Sequence, residues 1–89
     1  MKNKEFTYED LMKTVGQWTD PSKVPDWHYK VFSPNSDRIP TVYLEDEGDA
    51  FGCYDLFVLY AMKQPWSRGV RLRLEDKDGE MLDTGVVCG

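Results

Sequence analysis

The residues able to do covalent chemistry in this chain are few: one histidine, His28, and two cysteines, Cys53 and Cys88. A nucleophilic site needs a thiol or hydroxyl beside a base, and a third group that orients the base. The residue types are present, but no GxSxG elbow, Walker loop or GxGxxG turn accompanies them. The cysteines are far apart without CxxC spacing, and neither stands at ligand spacing from His28, so no metal or cofactor is expected. They read as reduced thiols, and the chain as non-catalytic.

The carboxylates form a more distinctive pattern. Net charge is −5, yet residues 1–44 balance six Lys/Arg against six Asp/Glu. Glu45, Asp46, Glu47, Asp49 and Asp55 then follow with no cation among them. Lys63, Arg68, Arg71 and Arg73 follow with no acid, and Glu75, Asp76, Asp78, Glu80 and Asp83 surround Lys77 alone. Alternating blocks of this kind are expected to pair as solvated faces. That leaves the loop from Glu45 to Asp49, where concentrated negative charge would steer a basic partner or imitate DNA phosphates. The expected partner-binding residues are therefore Glu45, Asp46, Glu47 and Asp49, with Tyr54 or Trp66 as an apolar anchor. Trp66 earns its place as a loop aromatic beside an arginine.

Two other patterns compete. Asp76-x-Asp78-Gly79 has calcium-loop residue types but lacks the further ligands and flanking helices of an EF-hand, so it reads as a tight turn. Arg71 and Arg73 share the outward side of an alternating strand, and Trp66 nearby could stack a base. An isoelectric point near 4.7 opposes a polyanion. Cross-strand pairing of these arginines with Glu80 or Asp83 is the expectation, and nucleic acid is the alternative partner.

Pro65-Trp66, the alternating strand after it and the Asp-x-Asp-Gly-Glu hairpin resemble the C-terminal hairpin of the phage uracil-DNA glycosylase inhibitors. The resemblance stops there, because the first half carries no acidic strand like the one that family uses for recognition.

The elements that must position these residues follow from periodicity. Thr7 as N-cap, Asp10 three residues on, and Tyr8, Leu11, Met12, Val15 and Trp18 at helical spacing predict an N-terminal helix. Trp27 to Phe32 and Thr41 to Glu45 predict a hairpin of two strands with a long loop. Val70 to Glu75 alternates strictly, and Asp76 to Gly79 turns the chain into a closing strand over Glu80 to Val87. The run from Ala50 to Gln64 fits a buried strand or a helix ending before Pro65. Gly52 and the aromatic content favour the strand.

The sum is a single α+β domain over residues 1–89: a helix packed on an antiparallel sheet of four or five strands, with a C-terminal β-hairpin. No apolar run approaches a membrane span of about 20 residues, and the first residues lack the apolar core of a signal peptide. The expected role is a cytoplasmic, non-catalytic protein-binding module, of the inhibitor or immunity-protein kind found in phages and mobile elements. It would dock on a partner with a basic or mixed surface.

Overall fold

The computed structural model describes residues 6–87. The chain begins with helix α1 (Tyr8–Val15), whose capping box is complete: the Thr7 hydroxyl accepts from the Asp10 amide, and the Asp10 carboxylate accepts from the Thr7 amide. Leu11 and Val15 are fully buried, Met12 and Trp18 partly so. Tyr8, expected in the buried stripe, is instead half exposed, its ring tilted against Tyr60. Two 3₁₀ turns, Gly16–Trp18 and Pro21–Lys23, lead to strand β1 (Tyr29–Phe32).

β1 pairs antiparallel with β2 (Val42–Leu44), as the sequence predicts. Strands β3 (Arg71–Asp76) and β4 (Met81–Val86) form the C-terminal hairpin, and the sheet order is β2-β1-β3-β4, antiparallel throughout. The turn between β3 and β4 closes on Gly79, whose φ of +87° lies in the left-handed region that glycine tolerates. The Asp76 carboxylate holds this turn by accepting from the Asp78 and Glu80 amides. The structure therefore has α1, a second helix and four antiparallel strands, which is the α+β class expected.

The run after β2 is the correction. Residues 47–62 form helix α2 (Glu47–Met62), not a strand. The start signal is Asp46, which adopts extended geometry and accepts from the Asp49 amide at 3.0 Å. Glu47 and Asp49 add negative charge at the positive end of the helix dipole. Ala50, Cys53, Tyr54, Phe57, Tyr60 and Ala61 are buried at three- and four-residue spacing. They cover one sheet face, where Val31, Val42, Leu44, Leu72 and Leu74 supply the other half of the core. Apolar residues also occupy the outer arc of α2, so no clean stripe marked it as a helix.

Gly52, the residue that favoured a strand, lies on the exposed side of α2, and a β-carbon there would meet nothing within 4 Å. It weakens the helix without serving a contact. Gly52→Ala is expected to raise stability by about 0.5–1 kcal/mol, read as a shift in the urea midpoint at unchanged slope. A loss of stability would contradict the helical placement.

Candidate functional site

The covalent candidates separate on folding. Cys53 points from α2 into the core, and its thiol is pushed up to about 12, first by burial and then by the nearby Asp49 charge. A thiol so placed stays protonated at neutral pH and is no nucleophile. His28 is exposed just before β1, with its amide donating to the Leu44 carbonyl and its ring edge against Tyr29. Cys88 lies outside the described residues. Among the described residues no three His, Cys, Asp or Glu side chains are grouped to hold a metal ion.

Glu45, Asp46, Glu47 and Asp49 are all exposed, but they are not a loop left over from the fold. Asp46 is the cap of α2, and Glu47 and Asp49 belong to its first turn. Sheet register places a second acidic group at the same end of the molecule. Leu44, Tyr29 and Asp76 lie side by side across β2, β1 and β3. The β3–β4 turn with Asp76, Asp78 and Glu80 therefore projects from the end at which α2 begins. Lys77 in that turn lies over the Trp27 ring, 5.2 Å from its centroid.

The opposite end is basic. α2 leads through Lys63 and Arg68 into Arg71, and Arg38 lies over the Trp66 ring at 5.2 Å. Arg38, Trp66, Arg68 and Asn35 line an open groove of about 600 Å³. The loop is held firmly: the Gln64 side chain donates to the Phe6 carbonyl, Asn35 bonds the Gly69 carbonyl and the Arg71 amide, and buried Ser67 donates to the Gln64 carbonyl. Asp37 also lines this groove, and Lys23 lies beside Glu45, Asp46 and Asp49 at the other end, so charge is polarised along α2 only in its balance.

This geometry divides the expected surface. Trp66 follows the far end of α2, which spans about 24 Å at 1.5 Å per residue. It also packs on Tyr60 with ring centroids 6.1 Å apart. It therefore cannot join Glu45 to Asp49 in one patch. Tyr54 is 6% exposed, and its hydroxyl lies against Gly85. Burial, with Asp83 and Asp55 nearby, raises its pKa. Tyr54 is a core residue and offers a partner no anchor.

The sheet face away from the helices was not anticipated as a unit. By register it carries Tyr43 of β2, Lys30 and Phe32 of β1, Arg71, Arg73 and Glu75 of β3, and Met81, Thr84 and Val86 of β4. Lys30 Nζ sits 4.5 Å from the Phe32 ring centroid, and Trp27 packs edge-on against Tyr43 at 5.0 Å. Arg73 pairs with Glu75 on its own strand at 2.9 Å, while its cross-strand neighbour is Thr84. The expected pairing with Glu80 or Asp83 does not form. Alternation within β1 and β3 is the signal from which this shared face could have been assembled.

No protein-family model, curated protein or solved structure matches the chain. No helix among the described residues is long and apolar enough to cross a membrane.

The burial of Cys53 has a direct readout. In the folded protein Cys53 is expected to resist iodoacetamide from pH 7 to 9 and to react fully in denaturant, followed by peptide mapping. Its raised pKa keeps the thiolate scarce throughout that range. Rapid native labelling with a midpoint below pH 8.5 would reinstate it as a nucleophile.

Proposed function

We propose that this chain is a non-catalytic binding module of the cytoplasm that docks its acidic end on a basic or mixed surface of a protein partner. The observation that carries the reading is the convergence of exposed carboxylates from α2 and the β3–β4 turn on one end. Such an end steers a positively charged partner and sets its orientation. The buried, protonated Cys53 supports a role without covalent chemistry. Inhibition or immunity, by masking a basic active or nucleic-acid-binding surface, is the kind of work this suits.

Helix capping and recognition are separable in the acidic segment. Glu45 and Glu47 take no part in the capping bond, whereas Asp46 accepts it. With a partner isolated by tagged capture, Glu45→Gln with Glu47→Gln should weaken binding several-fold and flatten its salt dependence at unchanged melting temperature. Asp46→Ala should instead cost about 1 kcal/mol of stability. Equal affinity for the doubly neutralised chain and the native one would sink the reading.

The open sheet face favours a second reading, a single-stranded nucleic-acid platform. Phe32, Tyr43 and Trp27 offer rings, and Lys30, Arg71 and Arg73 offer cations on the same side. Bases stack on such rings while cations track the backbone. Trp66 drops out of this site because it packs on the helix side. Tryptophan fluorescence titrated with oligo(dT) at low salt should then show micromolar binding that Arg71→Ala with Arg73→Ala reduces at least tenfold. A flat titration at tens of micromolar ends this second reading.

A further inference from the structure

We propose that the groove between the β1–β2 and α2–β3 connections binds a small phosphorylated sugar, free or within a mononucleotide, through Arg38, Arg68, Ser36 and Asp37. The groove encloses about 600 Å³, within the range of about 300–1,000 Å³ common to small-molecule sites. Ser36, Asp37 and Arg38 line it from one connection, Trp66 and Arg68 from the other. Polar and charged groups dominate this wall, so its occupant is polar as well.

The two connections are locked to one another before any ligand arrives. Asn35 bridges them: its side-chain amide donates to the Gly69 carbonyl at 3.1 Å, and its oxygen accepts from the Arg71 amide at 2.9 Å. The Gly69 amide in turn donates to the Val87 carbonyl at 2.9 Å. Arg38 rests over the Trp66 ring at 5.2 Å, which leaves the N–H edge of its guanidinium open. A cation already ordered in this way loses less entropy when it takes up an anion.

The donors in the groove lack partners. Among the described residues, neither the Arg38 nor the Arg68 guanidinium has an ion pair or a hydrogen bond. Ser36 Oγ accepts from the Arg38 amide at 3.2 Å, so the hydroxyl hydrogen is left to donate. Planar guanidinium forks match phosphate oxygens two at a time. Asp37 narrows the class further, because one carboxylate beside two guanidiniums only accepts hydrogen bonds. It suits a ligand that carries hydroxyl donors next to its phosphate, as a sugar phosphate does. A polyanion would bring further phosphates against Asp37. The groove is separate from Glu45 to Asp49 and from the open sheet face, so it stands or falls apart from both docking readings.

Calorimetric titration of the full chain at low salt should give ribose 5-phosphate or AMP a dissociation constant below about 1 mM, with inorganic phosphate at least tenfold weaker. Equal binding of the two organic phosphates assigns a free sugar phosphate, and AMP tighter by tenfold assigns a mononucleotide. Arg68→Ala should weaken either ligand at least tenfold, and Asp37→Asn should shrink the advantage over inorganic phosphate several-fold. Should Arg68→Ala alter the circular dichroism, NMR shifts of the native chain decide. The Ser36 and Arg38 amides and the Trp66 indole should then move on titration, with Lys30 and Tyr43 unmoved. No binding at 10 mM overturns the proposal, as does sulfate binding equally well, the mark of an adventitious ion only. Affinity indifferent to Arg68→Ala, or shifts confined to the open sheet face, overturns it too. So does oligo(dT) that binds more tightly than AMP and is lost with Arg68→Ala, which would assign the groove to a strand.

Discussion

One helix has to roof a four-stranded sheet, and most features of this molecule follow from that constraint. An α-helix with its side chains is about 10–12 Å across, while four strands about 4.8 Å apart span a wider floor. α2 settles over β1 and β3, where Phe57, Ala50 and Ala61 are fully buried against Val31, Leu72 and Leu74. α1 and the 3₁₀ turn after it fill the β2 side. Little chain remains for β4, which stays exposed along most of its length. Tyr54 reaches across toward β4, and its hydroxyl meets Gly85, where a β-carbon would stand only 3.0 Å away. Gly85 is thus shaped by the roof's reach.

The parts of this fold legible in the sequence are those stabilised locally. The capping box of α1 involves residues three apart, and the β3–β4 turn is written in Asp76 and Gly79. Strict alternation in β3 names both its faces. α2 was obscured because Phe51, Leu59 and Met62 are exposed on it and Leu56 and Val58 only half-buried, which erases the stripe that periodicity detects. What did mark it was a short-range signal, an aspartate at 46 whose carboxylate reaches the amide at 49, with Glu47 in between and Pro65 beyond the end. The aromatic content that suggested a strand belongs to packing between elements: Tyr60 meets Phe6 and Tyr8, far away in the chain, and Trp66 in the loop after the helix.

The candidate site shows the same division. Exposure of Glu45 to Asp49 could be read from their charge, because burying several unpaired carboxylates is prohibitive. Their neighbours could not. Tyr54 falls on the inner arc only once residues 47–62 are helical, and in a strand it would have faced either side. Trp66 is close to the acids in no sense that the fold preserves, since a whole helix intervenes. The open sheet face needed the pairing of Lys30 with Glu75 and of Phe32 with Arg73, contacts that no single segment contains.

Polarity is where local and global demands meet. A helix favours acids at its first turn and tolerates cations near its last, each interaction contributing about 0.3–1 kcal/mol. Glu47 and Asp49 satisfy the first rule, and Lys63 follows Met62 in keeping with the second. Helix electrostatics alone would thus place charge at both ends of α2, without any partner. They do not account for Asp76, Asp78 and Glu80, which belong to a different connection and come to the same end only through sheet register. From β2 to β3 is two strand spacings, about 10 Å, close to one screening length at physiological salt. The two acidic groups therefore add their fields over the surface of a single end, and this surplus beyond the needs of the helix is what supports the docking proposed for that end.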